Sequence, residues 1–262
     1  MIDECFVELR EMKIGLLGVG KMGSAIASGL KAKHKDLVLF GFDPAGQSPL
    51  TKPAASGQAL EDASDVVILC VKPQEAERSL AGFRGDKYYI SIMAGVGTER
   101  LQELLGGQAK VARAMPNLNA AVFQSATGLF CADEALRAIA LEIFSSIGRV
   151  EITEKESLLH VVTGLSGSGP AYVFEFLDAL AQGGVEGGLP YNRALALAVQ
   201  TVLGSAEYVL KEDKHPLDLR SRVTSPGGTT IAGLAALEKN GFRYAVMSAV
   251  AAASDRSKEL GS

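Results

Sequence analysis

Residues Lys13 to Leu30 read KIGLLGVGKMGSAIASGL and predict the architecture of the first half of the chain. The apolar run Ile14–Leu17 is typical of a buried strand, and the Ala-, Ile- and Leu-rich pattern after Gly23 is typical of a helix. In the GxGxxG turn between them, the first glycine permits a tight turn, the second lets the backbone approach a pyrophosphate, and the third lets the helix pack closely on its strand. The sequence therefore predicts dinucleotide binding, with cofactor contacts from Gly18, Val19, Gly20, Lys21, Met22 and Gly23.

A second predicted strand, Leu37 to Phe42, ends in the acidic residue Asp43. This carboxylate stands about 20 residues after the glycine turn, where dinucleotide-binding folds place the acid that accepts the ribose hydroxyls. The same carboxylate would repel the 2′-phosphate of NADPH, and only Lys52 among the residues that follow could offset the repulsion. Of the two cofactors, NADPH or NADH, the sequence therefore favours NADH, unless Asp43 instead caps the loop that begins at Pro44.

Composition and charge indicate an ordinary globular protein. The 262 residues are 47% apolar and 21% charged, with a net charge of -4 and no basic run, so we expect no nucleic-acid partner. No apolar stretch reaches the roughly 18 residues of a membrane helix, and we expect no membrane partner. The three histidines are isolated from possible metal ligands, so no metal site is predicted.

The beginning of the chain and the cysteines favour a cytoplasmic location. Residues 1–12 contain four acidic side chains, the wrong sign for a secretion signal, and we interpret them as an N-terminal extension without fixed structure. Cys70 and Cys131 lie in apolar runs, where cysteine usually acts as a small buried hydrophobe. A reducing compartment therefore fits best.

Short apolar runs alternate with helical patterns up to about Ile152, which predicts a mostly parallel sheet covered by helices. Ligands of such sheets bind outside the carboxyl ends of the strands, and three further strand ends carry unusual residues. Ala94 and Gly95 leave room for a flat ring. Lys72 and Asn117 can hold ribose or amide groups. Pro73 and Pro116, however, could simply end their strands. The additional predicted cofactor residues are Val71, Lys72, Pro73, Ala94, Gly95, Pro116 and Asn117.

The remainder of the chain predicts only helices. We place a Rossmann NAD(P)-binding domain at residues 13–155 and an all-helical domain at residues 156–262, so that the fold class is α/β followed by an all-α dimerisation domain. The glycine pairs at 183–184 and 187–188 are expected to interrupt the first long helix. Alanine-rich apolar helices after Ile231 favour burial in a homodimer, or in a larger assembly of dimers, over a monomeric bundle.

Seven motifs distributed along nearly the whole chain resemble the pyrroline-5-carboxylate reductases. The last of them contains a Ser-Pro-Gly-Gly-x-Thr loop, which has no common structural reason to occur between two helices. The motifs are GVGKMG from Gly18, CVKPQ from Cys70, MAGV from Met93, RAMPN from Arg113, GLSGSGPAY from Gly164, GLP from Gly188 and VTSPGGTTIAGLAALEKNGF from Val223.

The resemblance implies hydride transfer from a nicotinamide cofactor to the cyclic imine 1-pyrroline-5-carboxylate, giving L-proline at the last step of proline biosynthesis. The reaction needs an anchor for the substrate carboxylate and a proton on the ring nitrogen. Consecutive backbone N–H groups at the start of a helix suit a carboxylate, and a threonine hydroxyl can hydrogen-bond the imine nitrogen while capping that helix. We therefore expect Thr230 to be the catalytic residue and the substrate contacts to be Ser225, Gly227, Gly228, Thr229 and Thr230.

The sequence departs from the family pattern at two sites that concern the cofactor. Leu118-Asn119-Ala120 replaces the Thr-Pro-Ala that usually follows RAMPN in bacterial relatives, and Asp43-Pro44 stands where many relatives carry Arg and Ser. Two other functions remain open. A β-hydroxyacid dehydrogenase would need a lysine on the first interdomain helix, and none occurs between Pro170 and Leu189. A non-catalytic NAD(P)-binding sensor would not need the intact SPGGTT loop.

Overall fold

A computed structural model describes residues 9–261. Its internal contacts divide the chain into two units. The first comprises the residues up to Ser168 together with those from Val250 onward, and the second is Gly169–Ala249. Residues 156–168, which the sequence assigns to the helical domain, therefore pack with the first unit. The boundary itself stays a prediction.

The first unit contains an eight-stranded sheet in the order β3-β2-β1-β4-β5-β6-β7-β8. Every neighbouring pair is parallel except β6 with β7, which is antiparallel, so the carboxyl ends of the first six strands share one edge. The strands are β1 Ile14–Leu17, β2 Leu39–Phe42, β3 Lys52–Pro53, β4 Val66–Leu69, β5 Tyr88–Ser91, β6 Lys110–Met115, β7 Ser125–Phe130 and β8 Gly148–Ile152. This arrangement confirms the predicted α/β class.

Helices cover both faces of the sheet, which explains why its central strands are apolar at every position. On one face Leu16 and Ile68 pack with residues of α1 and α5, and on the other Leu17 and Leu69 pack with residues of α2, α3 and α4. These helices are α1 Lys21–Lys33, α2 Gly57–Asp62, α3 Ala76–Leu80, α4 Thr98–Leu104 and α5 Glu134–Phe144, followed by α6 Leu158–Val162 and a π-helical turn Thr163–Gly167.

Residues 44–57 are rich in Pro, Ser and Gly and predict a surface loop, and the structure has one short regular element inside this segment, the edge strand β3. Helix α2 begins at the last residue of the segment, and Ser56 caps its first turn by accepting the N–H of Ala59 at 3.1 Å. The expected N-terminal extension is also ordered in part. Residues 9–11 form a 3-10 turn with Leu9 only 1% exposed, so the prediction that they lack fixed structure is wrong. Residues 1–8 lie outside the described residues.

The second unit is helical, as predicted. The expected interruption at 183–184 is wrong, because α7 continues through both glycines. Gly184 faces α8, where an added Cβ would stand 2.8 Å from that of Ala194, so the glycine serves close helix packing rather than a break. The helices are α7 Gly169–Glu186, α8 Tyr191–Glu212, α9 Pro216–Ser221, α10 Thr229–Lys239 and α11 Phe242–Glu259, the last of which ends within the first unit.

Among residues 9–261, no helix combines the length and apolar character needed to cross a membrane.

Candidate active site

A cavity of about 700 Å³ opens at the carboxyl ends of β1, β2 and β4. Five of the predicted cofactor residues line it, which are Gly18, Gly20, Asp43, Val71 and Lys72. Strand order alone brings them together, because β1 lies between β2 and β4 and all three run in the same direction. The cavity therefore occupies the position where a doubly wound sheet binds a dinucleotide.

The glycines of the turn fit a bound pyrophosphate. Gly18 has φ +96°, a left-handed conformation, and an added Cβ would lie 2.9 Å from the carbonyl oxygen of Cys70. A Cβ at Gly23 would overlap the carbonyl oxygen of Gly18, whereas one at Gly20 would have nothing within 4 Å. The first and third glycines thus serve packing, while Gly20 leaves its backbone open to a ligand beside the start of α1.

Asp43 lies at this cavity with both carboxylate oxygens already engaged by the protein. Oδ2 accepts the N–H of Val19 at 2.9 Å, and Oδ1 accepts the N–H of Ala45 at 2.9 Å. The contact to Ala45 is the loop cap that the sequence left open as the alternative role, and the contact to Val19 fastens β2 to the glycine turn. Because a carboxylate oxygen has two lone pairs, these bonds leave acceptor capacity for ribose hydroxyls.

Sequence reasoning overlooked one cation of the cavity, Arg78. Arg78 on α3 lines the same wall as Lys72, although it is 35 positions after Asp43 in the chain. Lys52, the one cation expected to reach in, instead holds its Nζ 6.0 Å from the ring centroid of Phe40. Cys70 also lines the cavity, and burial raises the pKa of its thiol to about 12, so this wall carries a neutral thiol at physiological pH.

The remaining predicted cofactor residues follow the same edge of the sheet. Ala94 and Gly95 come after β5, and Gly95 has φ +81°. Pro73 begins a 3-10 turn after β4, and Pro116 directly follows the end of β6. Both prolines therefore also have the purely local role that the sequence left open.

Both polar atoms of the Asn117 side chain form hydrogen bonds within the protein. Its Oδ1 accepts the N–H of Asn119 at 3.1 Å, and its Nδ2 donates to the carbonyl oxygen of Ser166 at 2.9 Å. The substituted Leu118-Asn119-Ala120 segment is thus a capped 3-10 turn, Leu118–Val122. The bond to Ser166 ties this turn to the π-helical part of the GLSGSGPAY motif, a kind of irregular helix that often occurs at functional sites.

The SPGGTT loop lies in the second unit and leads directly into α10. Ser225 accepts the N–H of Gly228 at 3.1 Å, with Pro226 second and Gly227, at φ +68°, third in the turn. This is the order that a type II turn requires, so the loop does have a common structural reason, contrary to expectation. The N–H of Gly228 is bonded inside the turn, and the substrate contacts expected of this loop stay predictions.

Gly228, and not Thr230, is the N-cap of α10. Thr229 and Thr230 are the first two residues of the helix, and both are exposed. Within residues 9–261, no side chain caps this first turn, so its N–H groups face outward with the positive end of the helix dipole. The end of α10 can therefore receive a carboxylate, and the Thr230 hydroxyl is presented beside it.

A further cluster escaped the sequence reasoning altogether. Arg113 on β6 is 5% exposed and pairs with Glu156, which also accepts two hydrogen bonds from Thr98. Thr98 is the first residue of α4, and Gly97 is the N-cap. An arginine inside the apolar strand KVARAM was the one available signal, since a buried charge requires a partner.

Comparison with known proteins matches both halves of the chain. A family model described as pyrroline-5-carboxylate reductase dimerisation matches residues 156–260. A second, described as NADP oxidoreductase, coenzyme F420-dependent, matches residues 13–95.

Full-length relatives give the same result. Pyrroline-5-carboxylate reductase of Methanosarcina acetivorans is 40% identical over 97% of this chain and 99% of that protein. The enzyme of Arabidopsis thaliana is 40% identical, covering 97% of each chain. The crystal structure of Plasmodium falciparum pyrroline carboxylate reductase with NADP bound superposes with a TM-score of 0.87 at 34% identity, covering 97% of this chain and 99% of that one. At such identity over almost the entire length of each sequence, this chain belongs to the pyrroline-5-carboxylate reductase family.

Proposed function

We propose that this protein reduces 1-pyrroline-5-carboxylate to L-proline with NADPH or NADH. The observation that carries the proposal is that two features occur in one chain. The glycine turn leaves open space at Gly20, and the helix that follows the SPGGTT loop, α10, begins exposed and without a side-chain cap. A bound nicotinamide supplies the hydride. The residues of the chain bind the cofactor at the carboxyl edge of the sheet, and those of the SPGGTT loop hold the substrate.

In this proposal the first turn of α10 anchors the substrate carboxylate through the N–H groups of Thr229 and Thr230. Ser225 and Gly227 shape the turn that exposes them. The Thr230 hydroxyl hydrogen-bonds the ring nitrogen and orients the imine. A threonine hydroxyl is too weak an acid to be the final proton source near neutral pH, so the proton comes from water or enters with a protonated substrate.

The direct test is to incubate the protein with the imine and each cofactor, following cofactor oxidation and identifying proline as the product. Formation of proline with stoichiometric oxidation supports the proposal. Tight cofactor binding without any turnover would instead favour the sensor alternative. Turnover of a β-hydroxyacid but not of the imine would favour the dehydrogenase alternative.

We also propose that NADH is preferred. The carboxylate of Asp43 remains at the cavity wall, where a 2′-phosphate would face it. Two unit charges about 4 Å apart repel by about 1 kcal/mol in water and about 4 kcal/mol at the effective dielectric of a protein surface. Arg78 offsets part of this, but its side chain is 79% exposed and lies 3.5 Å from Glu75, so we expect the carboxylate to dominate.

Replacing Asp43 tests this preference. Asp43→Ser should raise kcat/KM for NADPH relative to NADH by about tenfold, because it removes the charge that faces the phosphate. Asp36→Ser, which removes an exposed carboxylate ahead of β2, is the matched control and should leave the ratio unchanged. A wild-type preference for NADPH that Asp43→Ser does not alter would show that Asp43 does not discriminate between the cofactors.

The second unit supports a homodimer. None of the eleven residues of α10 is buried, and α8 buries only Ala194 and Ala198 among its 22 residues. Large apolar side chains on these helices and on α11 are exposed, including Leu203 at 50%, Leu210 at 70% and Met247 at 68%. A soluble chain rarely leaves so much apolar surface uncovered, and a second copy of the chain would cover it.

A permanent interface of this kind should bury upward of roughly 2,000 Å². We expect light scattering to give the mass of a dimer, or of an assembly of dimers, down to nanomolar protein. A stable and active monomer at micromolar concentration would contradict the proposal.

We further propose a cytoplasmic location for the enzyme, where the free thiols of Cys70 and Cys131 would stay reduced.

A further inference from the structure

The ion pair of Arg113 and Glu156 connects the sheet to the start of α4. Nη1 of Arg113 lies 2.8 Å from Oε1 of Glu156. The same carboxylate accepts the backbone N–H of Thr98 at 2.6 Å and the Thr98 hydroxyl at 2.5 Å. One side chain, located between β8 and α6, therefore gathers three donors from two other elements.

These contacts hold both ends of one loop, residues 93–98. At its far end Glu156 binds Thr98, and at its near end Nη2 of Arg113 lies 3.5 Å from the carbonyl oxygen of Met93. Between the two anchors lie Ala94 and Gly95, the small residues predicted to leave room for a flat ring, which we take to be the nicotinamide.

The end of the chain supports the same loop. An added Cβ at Gly95 would lie 3.1 Å from the backbone nitrogen of Gly261 and 3.2 Å from the carbonyl oxygen of Leu260. The backbone after α11 therefore closes one side of the loop and prevents it from relaxing in that direction.

The electrostatics favour an ionised carboxylate. Burial alone would raise the pKa of Glu156, but the hydrogen bonds from Thr98 and Arg113 outweigh it and hold that pKa below its ordinary value. His160 stands nearby with its Nδ1 3.0 Å from the Ser257 hydroxyl. Burial, followed by the charges of Arg113 and Lys258, lowers the pKa of His160, so this imidazole is neutral at pH 7.

We propose that Glu156 is a positioning residue for the reaction. Acting through Thr98 and Arg113, it holds the 93–98 loop in the conformation that receives the nicotinamide ring. The inference rests on the proposed function in one respect, the assignment of Ala94 and Gly95 to the nicotinamide. A reductase needs this control because a small misplacement of the ring lowers the rate of hydride transfer steeply.

Cofactor fragments separate this role from simple stabilisation. ADP-ribose contains the adenosine, the pyrophosphate and the second ribose but lacks the nicotinamide, so it reports on the cofactor site without the ring. For Glu156→Gln we expect calorimetry to show NADH binding weakened about tenfold, equivalent to about 1.4 kcal/mol, with ADP-ribose affinity unchanged. The exposed Glu154 provides the matched control, and Glu154→Gln should bind both molecules as the wild type does.

A second variant covers the case in which Glu156→Gln fails to fold. Thr98→Ala removes one hydroxyl bond and leaves Arg113 paired, so we expect a smaller loss of NADH affinity, about threefold, in the same direction. Unchanged NADH affinity in the folded variants, or an equal loss of ADP-ribose affinity, would overturn the proposal. The titrations contain no imine, so their result is independent of whether the wild-type protein turns this substrate over.

Discussion

Thr230→Ala should lower kcat by about 10 to 100-fold, a loss of roughly 1.5 to 3 kcal/mol of transition-state stabilisation. The hydroxyl stands in the first turn of α10, where it can follow the charge that shifts at the ring nitrogen during hydride transfer. Since Gly228 is the N-cap, the substitution removes no cap from the helix. Thermal stability and cofactor affinity should therefore stay close to wild type.

The control for this prediction is Thr230→Ser, which keeps the hydroxyl and removes only a methyl group. It should retain most of the wild-type kcat, because the hydrogen bond and not the shape of the side chain carries the effect. Wild-type kcat/KM in a correctly folded Thr230→Ala protein would exclude the assigned role. An equal loss in Thr230→Ser and Thr230→Ala would exclude it as well, since a hydroxyl would then not be the decisive group.

Gly20→Ala should weaken cofactor binding by about 10 to 100-fold while leaving the fold intact. The added methyl meets nothing within 4 Å in the protein, and the φ of Gly20, -65°, is allowed for alanine. The methyl would instead occupy the space through which a pyrophosphate reaches the start of α1. Losing one or two charge-assisted hydrogen bonds to the phosphates accounts for the size of the effect.

Gly23→Ala is the informative contrast. Its methyl would overlap the carbonyl oxygen of Gly18, so this variant should lose stability, whereas Gly20→Ala should not. Gly46→Ala, another glycine with open space around it, should change neither stability nor cofactor affinity. Calorimetric titration with NADH and thermal unfolding measure the two effects separately. Normal NADH binding by Gly20→Ala would show that the cofactor phosphates do not approach this glycine.

The candidate site was predictable where its residues are neighbours in the sequence. The glycine turn, the strands that precede Val71 and Ala94, and a helix after the SPGGTT loop all follow from short-range patterns, because strand and helix periodicities are local properties. Parallel strand order then brings the carboxyl ends to one edge without further information. The same reasoning failed at Gly183 and Gly184, where packing against α8 outweighed the weak helix propensity of glycine.

Tertiary structure decided which partners each polar group has. Asp43 bonds the N–H of Val19, 24 positions away, and Glu156 reaches Thr98 at a separation of 58 and Arg113 at 43. Sequence alone determined the α/β class, the glycine turn at the carboxyl edge of the sheet and the presence of a helix after the SPGGTT loop, since these depend on local conformation. The partners of Asp43 and Glu156, and the position of Arg78 at the same cavity as Asp43, depend on which strand ends and helices meet in space. Hydrogen-bonding groups of one chemical type are interchangeable until the fold brings particular ones within reach.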